Sequence, residues 1–120
     1  MREAIEKVLE AMKEDYKRWS NMSSRYDGDT ESRKRIRDEM TEDFCNGLRV
    51  EENRRYWKIT SRKGNGQVSV SGFIAKAGDK KFREGDMLKA AGWNAPARNF
   101  ARGNVLDGSG VNEVRWTGIG

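Results

Sequence analysis

The first part of the chain carries apolar residues at the spacing of an α-helix. Between residues 3 and 19 they recur at intervals of three and four positions. These apolar positions are Ile5, Val8, Leu9, Met12, Tyr16 and Trp19. Glu3 near the start and Arg18 at the end complement the helix dipole. The pattern predicts an amphipathic helix whose apolar stripe faces a core.

A second helix is predicted after a polar, glycine-containing loop at residues 20–29. Asp29 or Thr30 is the expected N-cap, because either side chain can accept a hydrogen bond from the first turn. Apolar residues follow at i, i+4 and i+8, at Ile36, Met40 and Phe44. We expect Gly47 to end this helix in the left-handed conformation that glycine adopts without strain.

From Leu48 onward the period of the pattern changes to two, as in a β-strand. Residues 56–60 and 67–74 both alternate, and a glycine-rich turn at 62–66 joins them. This arrangement predicts a β-hairpin. Gly72 lies inside the second strand, where a bulge or a close backbone contact is expected.

The two faces of this hairpin differ in polarity. One face would collect the apolar side chains, which are Trp57, Ile59, Val68, Val70 and Ile74. Ser69 and Ser71 fall on the opposite face, which we therefore expect to be exposed to solvent.

The last part of the chain is predicted to form a connection and one more strand. Asp86 can cap a short helix at 87–91, and Asn94 can cap another that ends at Arg102. Residues 111–117 alternate again. They predict a strand that completes an antiparallel sheet, since two strands alone are only marginally stable.

Together these elements predict an α+β fold. Its length of 120 residues is close to the commonest domain size, so we expect a single domain over residues 1–120. Two N-terminal helices (1–47) would pack on a small antiparallel sheet (48–120) with short helices in the crossover.

The charge of the chain is unevenly distributed. Residues 1–47 hold ten Lys and Arg against twelve Asp and Glu, a balance of −2. Residues 48–120 hold fourteen against seven, a balance of +7. A positive field in one half favours an anionic partner, nucleic acid first. The alternative is a basic domain with no role in nucleic-acid binding.

Several classes of chemistry are disfavoured by composition. Cys45 is the only cysteine and there is no histidine, which excludes zinc fingers and Ser-His-Asp triads. The carboxylates of Asp79, Glu84 and Asp86 match no metal-binding motif, and Asp86 fits better as an N-cap. We expect no enzymatic activity and no cofactor. No apolar run approaches the roughly 20 residues of a membrane span, and the N-terminus is too charged for a signal peptide.

Candidate nucleic-acid contacts form two groups. Asn94, Arg98 and Arg102 would share one helical face, where two arginines one turn apart can contact phosphates or base edges. In the alternative, structural interpretation, Arg98 and Arg102 pair with Glu84, Asp107 or Glu113. The second group flanks the hairpin and comprises Lys58, Arg62 and Lys63, with Arg54, Arg55 and Lys76 nearby. Tyr56 would lie among these cations. Aromatic side chains among cations on a sheet bind single-stranded nucleic acid by stacking on bases and contacting phosphates.

The chain resembles a family of small proteins encoded by bacteriophages, common in marine phages. The segments that carry the resemblance are Tyr16-x-x-Trp19-Ser20, Ile36-Arg37-x-Glu39-Met40, Phe44-Cys45-Asn46-Gly47-Leu48, Tyr56-Trp57-Lys58-Ile59, Gly85-Asp86-Met87-Leu88-Lys89-Ala90-Ala91, the run from Ala95 to Val105, and Trp116-Thr117-Gly118. That family has no settled activity. The resemblance therefore implies a phage origin and expression in a host cytoplasm, and it assigns no catalytic or binding residue.

Two functional hypotheses follow. The first is a non-enzymatic phage accessory protein that binds nucleic acid through its basic C-terminal half. The second is a protein-binding modulator or inhibitor of a host or phage enzyme, with Trp93 as the candidate contact because tryptophan is enriched in interface hot spots. A structural virion component is a third possibility.

Overall fold

The computed structural model of the protein describes residues 2–23, 31–62 and 66–119. Its elements are the helices α1 (Arg2–Ser23) and α2 (Glu31–Gly47), the strands β1 (Leu48–Glu52), β2 (Tyr56–Arg62), β3 (Val68–Ala75) and β4 (Met87–Leu88), and a 3-10 turn (Val111–Glu113). They confirm the predicted α+β class. The N-cap expected at Asp29 or Thr30 lies outside the described residues. Neither α1 nor α2 is long and apolar enough to cross a bilayer.

The apolar stripe of α1 is buried as its spacing predicts. Ile5, Val8 and Met12 are each 1% exposed or less, and Tyr16 is buried one turn further on. Only Trp19, at the C-terminal end of the stripe, stays half exposed. The helix extends to Ser23, beyond the predicted boundary, since the first glycine comes only at position 28.

The apolar stripe of α2 is buried only at its C-terminal end. Phe44 is buried and stacks on Tyr16, with 4.5 Å between the ring centroids. Ile36 and Met40 are more than half exposed.

The conformation expected at Gly47 is wrong, because this residue has no positive φ and α2 passes directly into β1. Glycine is needed at position 47 for space. A Cβ atom there would lie 2.2 Å from the carbonyl oxygen of Arg62 in β2.

The four strands form one antiparallel sheet in the order β1-β2-β3-β4. The predicted hairpin of β2 and β3 is confirmed. Its register shifts between Ile59, which pairs with Gly72, and Thr60, which pairs with Val70. Ser71 is the extra residue of this bulge, next to the glycine where one was expected. Gly72 also allows Ile119 to approach, since a Cβ atom would lie 2.7 Å from that side chain.

Both faces of the sheet carry a buried cluster, so the expectation of a solvent-exposed face is wrong for Ser71, which is 5% exposed, although Ser69 is exposed as predicted. One buried cluster combines Trp57, Ile59 and Ile74 with residues of α1. The other face carries a second cluster, formed by Tyr56, Phe73, Ala75, Phe82 and Leu88. The bulge explains why two valines depart from the predicted face. It reverses the alternation before Gly72, so that Val70 packs on the second cluster and Val68 is 41% exposed.

The two short helices predicted between residues 87 and 102 are absent. In their place lie β4, a tight turn at residues 91–95 and irregular chain. Met87 and Leu88 form β4 and are each fully buried in a different cluster. Only a strand sends two successive side chains to opposite faces of a sheet. The backbone at Arg102 lies beside β4. Its N–H donates a hydrogen bond to the carbonyl oxygen of Met87, with 2.7 Å between nitrogen and oxygen. Such short helices are marginal alone, so the hydrogen bonds of the strand prevail.

The strand predicted at 111–117 is also absent. Val111–Glu113 is a 3-10 turn, and Arg115 and Gly118 form an isolated bridge. Val114 is nevertheless buried. The hairpin is completed as a sheet by β1 on one side and β4 on the other.

Candidate nucleic-acid interface

A positively charged cavity of about 320 Å³ lies at the end of the sheet where β2 begins and β3 ends. We call this cavity the basic pocket. Its lining residues are Arg54, Arg55, Lys76, Ala77, Gly78, Asp79, Lys80 and Arg98. Five of them carry a positive charge and one carries a negative charge, so the formal net charge of the lining is +4.

Two turns at the same end of the hairpin build the basic pocket. Tyr56, the first residue of β2, pairs with Ala75, the last residue of β3. Arg54 and Arg55 directly precede this pair, and residues 76–80 directly follow it. The backbone N–H of Lys76 donates to the carbonyl oxygen of Arg55 at 3.1 Å, which ties the two turns together. The pairing of the strands therefore positions most of the cations.

Asp79 is the carboxylate around which the basic pocket is organised. Its side chain is only 3% exposed. The two terminal guanidinium nitrogens of Arg98, Nη2 and Nη1, donate to it at 2.9 and 3.0 Å, and the backbone N–H groups of Lys81 and Phe82 donate at 2.9 and 3.1 Å. Arg55 adds a longer ion pair at 3.6 Å. The hydrogen bonds from Arg98, and after them the one from Lys81, hold the pKa of Asp79 well below its usual range.

Arg98 is held by three neighbours at once. Besides its two hydrogen bonds to Asp79, Arg98 donates to the hydroxyl of Tyr56. Its guanidinium lies 5.0 Å from the ring centroid of Phe82. The hydrogen bonds with Asp79 raise the pKa of Arg98, so this group stays charged. The side chain remains 36% exposed at the pocket. Arg98 thus presents a fixed positive charge and not a flexible one.

Other cations of the basic pocket are available to a ligand. Among the residues that the structure describes, neither Arg54 nor Lys80 has an ion-pair partner. The side chain of Arg55 is 66% exposed. Lys76 pairs with Glu52 at 2.9 Å on the rim. Two unpaired cations beside an oriented arginine suit a phosphate group, which accepts several charge-assisted hydrogen bonds.

Lys58 cannot serve as the surface contact expected from the sequence. It is only 2% exposed, because the face of the sheet that carries it is covered. Its ammonium group donates to the side-chain oxygen of Asn94 at 2.9 Å and lies 3.7 Å from the ring centroid of Trp93. Trp93 itself is 50% exposed. These three residues form a cluster that the sequence did not suggest.

Asn94, Arg98 and Arg102 do not share a face, since the helix expected to align them is absent. Asn94 contacts Lys58, whereas Arg98 binds Asp79 in the basic pocket. Arg102 donates to the side chain of Asn99 and to the carbonyl of Phe100, and it covers the Phe100 ring at 3.8 Å. Arg98 is paired with a carboxylate, as the structural alternative expected of it, but the partner is Asp79 and none of the three acids predicted there.

The remaining hairpin candidates lie elsewhere. Arg62 ends β2, at the opposite end of that strand from the basic pocket, and is exposed. It lines a second cavity of about 400 Å³ together with Tyr16, Trp19, Met40, Asp43, Phe44, Ser61 and Trp116. Lys63 lies outside the described residues.

Two of the three carboxylates considered as metal ligands, Asp79 and Asp86, have structural roles. Asp79 binds Arg98, and Asp86 accepts hydrogen bonds from the side chain of Asn104 and from the backbone of Arg83, both at 2.9 Å. Asp86 caps no helix. Within residues 2–23, 31–62 and 66–119, no three carboxylate or thiol groups come together in a way that could hold a metal ion.

Sequence reasoning missed the partnership of Asp79 with Arg98. The two residues are 19 positions apart, and no periodic pattern connects them. A signal for the basic pocket was nevertheless available. The residues that precede the first strand of a hairpin lie beside those that follow the second, so the hairpin already placed Arg54 and Arg55 near Lys76 and Lys80.

Removing the charge of Asp79 is expected to destabilise the protein in a pH-dependent way. Asp79→Asn should lower the Tm by roughly 5 °C at pH 7, the shift typical of one lost interaction in a small domain. Because folding lowers the pKa of Asp79, its contribution is complete above the usual aspartate value near 4. It is lost as the pH falls through the lowered pKa. The difference in Tm from wild type should therefore shrink below about pH 4.

Thermal unfolding monitored by circular dichroism between pH 2 and pH 7 checks this expectation. Asp38→Asn, on the exposed surface of α2, is the matched control and should not change the Tm measurably. A difference between Asp79→Asn and wild type that stays constant across the range would contradict a role for the carboxylate charge.

The chain belongs to a protein family described as a family of unknown function (DUF7717), whose model matches residues 1–119. Searches of curated proteins and of solved structures returned no match.

Proposed function

We propose that this protein is a small, non-enzymatic accessory protein that binds nucleic acid through phosphate contacts in the basic pocket. One observation carries the proposal. Arg54 and Lys80, which have no ion-pair partner among the described residues, lie in one pocket with Arg98, which Asp79 orients. Arg55, Lys76 and Arg98 complete the five cations of the lining. The phage origin and the location in a host cytoplasm remain part of this proposal, since they rest on the resemblance.

The proposed interface differs from the one that the sequence suggested. Of the six predicted contacts it keeps only Arg98. Cations of the two turns replace the other five, which are Lys58, Arg62, Lys63, Asn94 and Arg102. The proposal takes the two N-terminal helices to pack on the other face of the sheet, which the cluster shared by α1, Trp57 and Ile59 supports. The basic pocket then stays open to a ligand.

Salt dependence of binding tests the proposed function. If about five phosphates are contacted, log K should fall with log salt at a slope of roughly −4. The measurement is a fluorescence anisotropy titration of labelled single-stranded DNA, duplex DNA and RNA at several concentrations between 50 and 300 mM salt (roughly the range in which phosphate contacts weaken). Absence of binding at the lowest salt concentration, or an affinity independent of salt, would refute the proposal.

The alternative, a modulator of a host or phage enzyme, is favoured by one observation. Trp19 and Met40 are each about half exposed beside the cavity that Arg62 lines, and apolar surface of this kind suits a protein partner. Trp93, the contact predicted for this role, is held by Lys58 on one ring face. The titration separates the two functions, because a modulator of this kind would not bind nucleic acid at any salt concentration.

A further inference from the structure

Lys58 holds the indole of Trp93 in a fixed orientation by contacting one face of the ring. The ammonium group of Lys58 lies 3.7 Å from its ring centroid, a close cation–π contact. Lys58 is 2% exposed, and its hydrogen bond to Asn94 fixes the ammonium in turn. No carboxylate among the described residues pairs with Lys58. Among the described residues, the buried ammonium group therefore interacts with the indole of Trp93 and the side-chain oxygen of Asn94.

One face of the indole remains available to a ligand. Trp93 is 50% exposed, and Lys58 occupies the inner ring face, so the exposed area belongs to the outer face and the ring edges. A flat aromatic surface that is already oriented loses little conformational entropy when a second ring stacks on it. Nucleobases stack on such surfaces regardless of sequence, because every base has a π-face.

The position of the indole relates it to the basic pocket. Lys58 and Tyr56 are two residues apart on β2, so their side chains leave the same face of the sheet roughly 7 Å apart. Tyr56 contacts Arg98, which lines the basic pocket, and Lys58 contacts Trp93. The basic pocket and the exposed ring are thus neighbours on one side of the sheet.

We propose that Trp93 is a base-stacking platform, so that the protein prefers single-stranded to duplex nucleic acid. This inference rests on the proposed function. A phosphate of the strand occupies the basic pocket, and an unpaired base of the same strand stacks on the outer face of Trp93. In a duplex the bases are paired and stacked on one another, so that no ring is free for Trp93 unless a base is first extracted from the stack.

Two variants of Trp93 test the inference, with one control. Trp93→Leu keeps an apolar cover over Lys58 but lacks a flat ring, whereas Trp93→Phe keeps a ring. Phe100→Leu is the matched control, because Phe100 is 57% exposed and carries Arg102 at 3.8 Å but lines a different cavity. Each protein is titrated with single-stranded DNA, single-stranded RNA and duplex DNA of one sequence at several salt concentrations, so that both the affinity and its salt slope are measured.

Wild type is expected to bind at least one of the two single strands about tenfold more tightly than the duplex. Trp93→Leu should lose about tenfold in affinity for that strand, with its duplex affinity and its salt slope unchanged. Trp93→Phe and Phe100→Leu should bind like wild type. The RNA and DNA arms show which strand is preferred.

The possible failures are distinguishable. Salt-dependent binding by wild type with equal affinities for single strands and duplex would overturn the inference and leave the proposed function intact. The same conclusion follows if Trp93→Leu binds single strands as tightly as wild type does. If wild type binds neither form at low salt, both proposals are refuted.

Discussion

Replacing Phe73 with alanine should lower the free energy of unfolding by about 3–5 kcal/mol, as truncation of a buried phenylalanine usually does. Phe73 is 1% exposed and lies on the sheet face that the sequence predicted to be solvent-exposed. Its ring is 5.8 Å from that of Tyr56, and it pairs across the sheet with Leu88. A loss of this size is a large part of the roughly 5–15 kcal/mol that stabilises a typical domain.

Urea denaturation monitored by circular dichroism measures this loss. The matched control is Val68→Ala, a truncation in the same strand at a side chain that is 41% exposed, for which a change of about 0.5 kcal/mol or less is expected. The second buried cluster would be disproved if Phe73→Ala cost no more than Val68→Ala.

The double variant Arg54→Glu with Arg55→Glu, which reverses both charges, should bind nucleic acid more than about 100-fold more weakly than wild type. Charge-assisted hydrogen bonds contribute about 1.5–3 kcal/mol each, and about 1.4 kcal/mol corresponds to a factor of ten in affinity. Two lost contacts should also make the slope of log K against log salt less steep by about 2. The Tm should change little, because the side chain of Arg55 is 66% exposed and its pair with Asp79 is long.

The matched control for the double variant is Lys7→Glu combined with Arg35→Glu, two exposed positions on α1 and α2. Each reversal removes two units of charge, so both double variants lower the formal net charge from +5 to +1. Any loss from general charge is therefore common to both. Equal losses in the two variants would show that binding follows net charge and has no specific site in the basic pocket.

The part of the fold that follows from local patterns was predictable. The stripe of α1 and the alternation of β2 and β3 are repeated over several turns or pairs, and each repeat adds to the same signal. The bulge next to Gly72 was predictable too, since a glycine inside a strand often marks a bulge or a close backbone approach.

The chain between residues 85 and 119 departs from its prediction for a physical reason. Its helical signals, at Asp86 and Asn94, are caps at the start of very short segments, and such helices gain little stability on their own. In the folded protein, β3 offers backbone hydrogen bonds to Met87 and Leu88, and the two clusters bury their side chains. The tertiary contacts outweigh the local preference.

The candidate site, too, was predictable from the sequence in part and depends on the fold for the rest. The excess of positive charge after residue 48 is a property of the sequence, and it indicated an anionic partner before any fold was considered. Which cations remain exposed is a property of the fold. Lys58 is buried because the segment that carries Trp93 covers it, whereas Arg54 and Lys80 lie in turns beyond the strand ends.

The sequence by itself determined the two helices, the central hairpin with its bulge, and a basic C-terminal half, because periodicity and composition are local or additive properties. Only the tertiary structure decided that both sheet faces are buried and that β4 is a strand. It also decided that Asp79 holds Arg98 and that Lys58 supports Trp93. These four features depend on contacts between residues far apart in the chain, and no local pattern encodes such contacts.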